Sequence, residues 1–273
     1  MKAFASDLDR TLIYSKKMIE AYGADDGYQL IETLDGKEIS FISEKTKQNL
    51  RKIHQEMYFI PVTTRTTEQY NRITFFQEEV IPEYAITTNG ACILKNGQPL
   101  ADWSNFIEKQ LQSCMPIRDM LAEIAELPES RLAERTRTAH DYFVYLILRD
   151  EGVREVSHFD LQAWAADRGW QASLQGRKLY FIPKPLHKWQ AVDYLKQVLK
   201  LDQIYTAGDS LLDYSLITHA DKGISPLHGE VLKYDQNLNA TTHSGMKAAD
   251  DITDYIVNLC VPKVKEKSNH ILG

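Results

Sequence analysis

Two acids one residue apart, Asp7 and Asp9, close a short apolar run that begins at Phe4, and a hydroxyl, Thr11, follows at the same spacing. Side chains alternate along extended backbone, so these three start out on one face. Carboxylates brought this close raise one another's pKa unless a cation or a proton lies between them. Magnesium meets that need, taking one or two carboxylates together with phosphate oxygens while keeping several waters. The chemistry implied is phosphoryl transfer, with one Asp as nucleophile and the other as acid and base. Taken alone, these residues fit a solvated loop after a strand equally well.

Three later stretches extend the set. Thr63 follows the apolar run 58–62, Lys188 opens an amphipathic helix after Pro183 and Pro185, and Gly208, Asp209 and Asp213 follow the run 203–207. If these runs are parallel strands, their polar residues gather at the carboxyl ends, where open α/β sheets bind ligands. A Lys at a helix start stands where the helix dipole favours an anion. Four acids facing a phosphate dianion would repel it; magnesium and Lys188 supply the compensating charge, and Thr11 and Thr63 supply neutral donors.

The elements that must position these groups are readable in outline. Asp35-Gly36 suits a tight hairpin turn between flanks at 28–34 and 37–42, at the mouth of the site. Ser43 caps the next helix, which turns Leu50, Ile53 and His54 or Met57 inward. The second core strand, 58–62, has Pro61 at an imperfect or terminal position and delivers Thr63, Thr64 and Arg65 to the rim. A helix is predicted over 67–79, then a strand, an Asn89-Gly90 turn and a returning strand up to residue 94. From 100 to 178 the pattern changes to helix-like segments and strands without a catalytic motif. Pro116 starts its second helix, and 142–148 is its clearest strand. If 131–138 is extended, Arg131, Arg135 and Arg137 share one face. They form either a clamp for an anionic or polyhydroxyl substrate or the partners of Glu129, Glu134 and Asp141. The run at 179–182 reads as a return to the core, and a helix near 244–259 closes the chain. The fold expected is α/β. A Rossmann-like, doubly wound parallel-sheet core is formed by residues 1–99 and 179–273, with an α+β domain, 100–178, inserted.

A chain of 273 residues with 43% hydrophobic content can bury a core of this size. Its formal charge of −6 argues against a nucleic-acid or anionic-membrane partner. The basic run at 263–267 reads as a solvated tail. Cys92, Cys114 and Cys260 show no paired spacing, so neither a disulfide framework nor a zinc site is expected. Without a charged-then-apolar leader or an apolar run of about 18 residues, the expectation is a cytoplasmic protein, monomeric or a small homo-oligomer.

The order Asp-x-Asp-x-Thr at 7–11, Thr63, Lys188 and Gly-Asp-x-x-x-Asp at 208–213 resembles the haloacid dehalogenase superfamily of phosphatases over nearly the whole chain. The inserted segment resembles the large α/β cap of the Cof-like and sucrose-phosphate-phosphatase-like branches. The resemblance implies that Asp7 attacks phosphorus to form an aspartyl-phosphate, and that Asp9 protonates the leaving alcohol and then activates water. Magnesium would take the side chains of Asp7 and Asp209 and the backbone carbonyl of Asp9, while Asp213 holds a coordinated water or Lys188. Asn89 would lie beside the substrate, the hairpin would act as a mobile flap, and the cap would choose the substrate, with a sugar phosphate the leading class. Arg10 stands where many relatives have Gly, Thr64 where Gly often follows the second-motif Thr, and Leu211-Leu212 where Gly-Asn is frequent. These departures alter the rim that meets the leaving group, so Arg10, Thr64 and Arg65 join Thr11, Arg135 and Arg137 as candidate substrate contacts. A phosphomutase of the same fold and a non-catalytic protein that binds phosphate and magnesium are the competing readings.

Overall fold

The computed structural model describes residues 1–23, 27–156 and 158–260; the basic run at 263–267 lies outside them. The central strand is β1 (Lys2–Ser6). It is flanked in parallel by β4 (Tyr58–Pro61) on one side and β12 (Gln203–Ala207) on the other, with β13 (Lys222–Ile224) parallel beyond β12. A parallel bridge from Val62 to Ile86 brings in β5 (Tyr84–Thr87), which continues antiparallel into β6 (Cys92–Lys95) and β7 (Gln98–Pro99).

Both faces of β1 are covered, which is why its run carries no polar alternation. Ala3 and Ala5 pack in one cluster with Ala191, Val192 and Leu195 of the helix Lys188–Leu199. Phe4 packs in the opposite one with Leu50 and Ile53 of the helix Glu44–Glu56 and Ile252 and Ile256 of the helix Met246–Cys260. Burying Phe4 fully contributes about 2 kcal/mol. Helices on both faces of a parallel sheet are the doubly wound arrangement expected, and Pro61 sits at the end of its strand, opposite Ser6.

The hairpin pairs β2 (Tyr28–Leu34) with β3 (Lys37–Ser43), and Asp35 and Gly36 both take the positive φ that such a turn requires. The Ser43 hydroxyl accepts the Thr46 N–H at 2.9 Å, capping the next helix as expected. The helix predicted over 67–79 is instead two short ones, Thr67–Asn71 and Phe75–Glu78. Between them the N–H and the hydroxyl of Thr74 both donate to the Ile31 carbonyl, at 2.9 and 3.1 Å. That side chain gives the backbone an alternative to the helix and ties it to the hairpin.

The inserted segment forms an antiparallel sheet in the order β10 (Trp170–Gln175), β11 (Lys178–Pro183), β9 (Phe143–Leu148), β8 (Ala133–Ala139). Pro116 directly precedes the helix Ile117–Glu126, whose Met120 and Ile124 pack with Leu161 and Ala165. The expected return to the core at Leu179 does not occur there. Strand β11 pairs with both β9 and β10, so it is an interior strand of this second sheet. Its run of fully buried residues reads like a parallel core strand, because burial on both faces erases the alternation that would distinguish it. The chain rejoins the core at the helix opened by Lys188. No described helix is long and apolar enough to cross a membrane.

Candidate active site

The loop after β1 sets the first three groups. The Leu8 carbonyl accepts from the amides of Thr11, Leu12 and Ile13 at 3.2, 2.9 and 2.9 Å, and this tight fold places Arg10 at φ 65°. That left-handed backbone favours glycine, so Arg10 occupies a strained position. The same loop aims the Thr11 hydroxyl at Asp7 Oδ2, 3.1 Å away.

Lys188 comes to Asp7 from the opposite side. Its Nζ donates to Asp7 Oδ1 at 2.6 Å and to Asp213 Oδ1 at 2.5 Å, with the lysine 1% exposed. His187 caps this helix: Nδ1 accepts the Gln190 N–H at 3.3 Å. Burial pushes its imidazole pKa down, which suits an acceptor. The turn at Asn89 and Gly90 packs beneath the same loop. A Cβ on Gly90 would stand 2.8 Å from the His187 carbonyl, and the Asn89 amide donates to the Leu186 carbonyl at 2.8 Å. Asn89 therefore braces the loop just before Lys188 and is not among the residues lining the main cavity.

Asp213 spends its second oxygen on the loop after β12. Oδ2 accepts the amides of Asp209 and Ser210 at 3.2 and 3.0 Å and the Ser210 hydroxyl at 2.7 Å. Gly208 allows this, because a Cβ there would be 2.3 Å from that of Asp213. Asp7, Asp209 and Asp213 bring carboxylate oxygens within 4.8 Å of one another, all three buried. Burial, together with the neighbouring acids, pushes the Asp7 carboxyl up to about 7 even though Lys188 pulls it down. It likewise holds Asp209 well above the usual range against the pull of Arg10. Burial works against the charge on Lys188, yet Asp213 and Asp7 raise its pKa.

Arg10 turns to the core. Its Nε lies 3.2 Å from Asp209 Oδ2 and its Nη1 3.0 Å from Glu230 Oε1, so this candidate substrate contact is paired with two acids of the core while it borders the cavity. Arg65 also departs from its expected role as a substrate contact. Nε and Nη2 grip Asp9 at 2.7 and 2.8 Å, while Nη1 donates to Glu32 Oε2 at 2.7 Å. Burial opposes ionisation of Asp9, but the guanidinium prevails and holds its carboxyl below the ordinary range. The Asp9 side chain thus stands apart from the buried acidic cluster, in keeping with the expectation that only its backbone carbonyl would meet the metal. Thr63 is fully buried; its Oγ1 accepts the Arg65 N–H at 3.1 Å, leaving its own proton available to a ligand.

These groups form the floor of a cavity of about 930 Å³ roofed by the second sheet and lined by Asp7, Asp9, Arg10, Thr64, Asp209 and Ser210 from below and Ile147, Arg177, Lys178 and Tyr180 from above. A smaller recess of about 150 Å³ adjoins it at Asp9, Thr64, Arg65, Tyr145 and Lys178. The β10–β11 turn clasps the core: Gln175 Nε2 donates to Ser210 Oγ at 2.9 Å and the Gly176 N–H to Glu230 Oε1 at 3.3 Å. Lys178, Gln175, Glu230 and Glu32 were not singled out from the sequence. A Gly between polar residues and two apolar runs, at 175–178, was the available signal for the first two.

Arg135 and Arg137 pair across the strands with Ile147 and Tyr145, and so share the cavity-facing side of the sheet. They are exposed on its edge strand and line neither cavity. The acid-pairing alternative is not realised by Glu134 either, which pairs with Arg177 at 2.7 Å.

The donor set suits a hard cation. Asp7 and Asp209 offer carboxylate oxygens, and Asp209 Oδ2 is buried without a hydrogen bond. Lys188 supplies a fixed positive charge beside them.

The family model for sucrose-6F-phosphate phosphohydrolase matches residues 1–255. No curated protein matches the sequence significantly. Among solved structures, the chain is similar to the sucrose-phosphatase of Synechocystis sp. PCC6803 in complex with sucrose and phosphate, at 17% identity over 94% of this chain and 96% of that one, with a TM-score of 0.62. It is similar also to a HAD subclass IIB sugar phosphatase, at 12% identity over 95% and 99% of the two chains and a TM-score of 0.62. A haloacid dehalogenase-like hydrolase from Bacteroides thetaiotaomicron follows, at 13% identity over 94% and 99% with a TM-score of 0.58. At these identities the structural likeness establishes a shared fold, and the family match extends it to kind: the chain belongs to the sucrose-6F-phosphate phosphohydrolase family, phosphatases of the haloacid dehalogenase superfamily.

Proposed function

We propose that the protein is a magnesium-dependent phosphomonoesterase that works through a phosphorylated Asp7 and acts on a sugar phosphate. The observation that carries this reading is the setting of Asp7. It is buried at the floor of the cavity, held by Thr11 on one oxygen and by Lys188 on the other, beside two further acids.

In this reading Asp7 attacks phosphorus in line as the bond to the leaving oxygen breaks, and Asp9 gives that oxygen its proton. A water then attacks the phosphoaspartate, its proton passes to Asp9, and inorganic phosphate and free Asp7 result. Lys188 and the Thr63 hydroxyl neutralise the charge on the transferring oxygens. Asp213 keeps Lys188 and the loop bearing Asp209 in place. Magnesium, held by Asp7, Asp209 and the Asp9 backbone carbonyl, would supply electrostatic stabilisation of the phosphoryl group.

The second sheet acts as a cap, with the domain boundary proposed after Pro183 rather than before Leu179. Lys178 and Tyr180 from β11 and Tyr145 from β9 would meet the sugar, a class that the sucrose bound to the Synechocystis enzyme supports. The test is phosphate release from a panel of phosphate esters, with magnesium or chelator, by the wild type and Asp7→Asn. Release that needs both magnesium and Asp7 supports the reading. An isomerised sugar phosphate in place of free phosphate would identify a mutase, and a folded protein inert on every ester would overturn it.

A further inference from the structure

The hairpin contributes to the site a carboxylate that belongs to none of the four motifs. Glu32 lies in β2 where the register against β3 shifts on both sides of it. This irregularity lets two consecutive residues, Ile31 and Glu32, both be buried, the kind of re-aiming for which β-bulges are used. The Glu32 side chain has no exposed surface. Its Oε2 accepts from Arg65 Nη1 and from the Ser40 hydroxyl, each at 2.7 Å, and its Oε1 from Arg72 Nε at 3.1 Å. A carboxylate removed from water to this degree needs such partners, and here they are two guanidinium groups.

Arg65 therefore bridges two acids, Glu32 in the hairpin and Asp9 in the loop after β1. A guanidinium is a planar fork of fixed geometry. Fastening its Nη1 to Glu32, with Nη2 also donating to Ser40 Oγ at 3.0 Å, fixes the plane in which Nε and Nη2 meet Asp9. We propose that Glu32 is a positioning residue for Asp9, acting through Arg65, so that the hairpin sets where the Asp9 carboxylate stands relative to the leaving oxygen and the attacking water. Glu32 also borders the smaller recess, but both its oxygens are already taken by protein donors, which separates it from a direct substrate contact. The inference rests on the acid and base role of Asp9.

The experiment is steady-state kinetics on p-nitrophenyl phosphate with magnesium for the wild type, Glu32→Gln, Asp9→Asn and the double variant, with thermal melts of each. Glu32→Gln keeps the shape and loses the charge that orients Arg65. It is expected to lower kcat about tenfold or more with KM within about twofold, a part of the range attributed to acid–base groups. In the Asp9→Asn background the same substitution is expected to change kcat by less than about twofold, because the group it positions is gone. An equal loss in both backgrounds would reduce Glu32 to a structural residue, and a rise in KM alone would make it a substrate contact; either overturns the inference. If Glu32→Gln does not fold, Ser40→Ala, which removes one bond each from Glu32 and Arg65, carries the same cycle with an expected loss of about threefold. Unchanged kcat in Asp9→Asn itself would overturn the acid–base reading, and is told apart because no Glu32 variant enters that comparison.

Discussion

The rim of the core and the face of the cap above it are built on opposite terms. On the rim, Asp7, Thr63, Lys188, Asp209 and Asp213 are each no more than 4% exposed, and their oxygens and nitrogens meet one another at short range. Across the cavity, Lys178 is exposed, Tyr145 is half-buried, and the side chains of Glu134 and Arg177 keep 47% and 33% of their surface. Low dielectric strengthens every interaction among the buried groups and makes any missing partner costly. Half-exposed groups can be exchanged at little cost. On the proposed function, the reaction is fixed where burial is deepest and the choice of substrate is made where it is shallow.

If that contrast is right, the largest loss follows from touching the rim. Asp7→Asn should lower turnover by roughly 10⁴-fold or more while the protein stays folded, as removal of a nucleophile does elsewhere. Phosphate release measures the first and a thermal melt the second; substantial residual turnover would remove Asp7 from its proposed role. Lys188→Met comes next. It leaves Asp7 and Asp213 facing each other without their shared cation, so the metal-free protein should lose about 3 kcal/mol of stability in denaturant titration. Activity should fall at least about a hundredfold with it.

The same contrast governs what could be read from the chain. Asp7, Asp9, Thr63, Lys188, Asp209 and Asp213 were legible because each closes an apolar run or opens a helix, and such ends converge in a parallel sheet. The hairpin turn was legible because Asp35-Gly36 has few other uses. Glu32 was not, since a bulge reverses the face that strict alternation assigns to it, and nothing in the sequence marks the slip. Arg65 reaches the rim, but its guanidinium is shared between Asp9 and Glu32, and the second of these lies 33 residues away in that unmarked position. Strand β11 was assigned to the wrong sheet for a related reason: a buried run states that it is covered, without stating by what.

Magnesium sharpens the comparison from the side of the ligand. A cation that binds only the folded protein stabilises it by about 2.7 kcal/mol at a hundred times its dissociation constant. A melt in saturating magnesium should therefore rise by about 5 °C or more. Asp209→Asn should abolish most of that rise, whereas Asp9→Asn, whose side chain faces Arg65, should retain it. Equal loss in both would place the Asp9 carboxylate in the metal site after all.

On the cap, Lys178→Met should raise KM about tenfold for a sugar phosphate and change kcat by less than about threefold, the signature of a contact made equally in the ground and transition states. Lys178 borders both cavities, and Tyr180 and Asp9 raise its pKa, keeping it charged.

Arg135→Ala and Arg137→Ala should do least. Both lie on the correct face of the cap sheet, opposite Ile147 and Tyr145, yet on its edge strand, in solvent and outside either cavity. A solvated guanidinium beyond contact range acts on a substrate only through screened charge. KM should therefore stay within about twofold for each variant at 0.15 M salt, and a modest effect should emerge as salt is lowered. A tenfold rise in KM at that salt would mean that the cap closes further over the substrate, bringing its edge strand into contact. The cap would then share the tight geometry of the rim, and the contrast between the two regions would hold only for the protein without substrate.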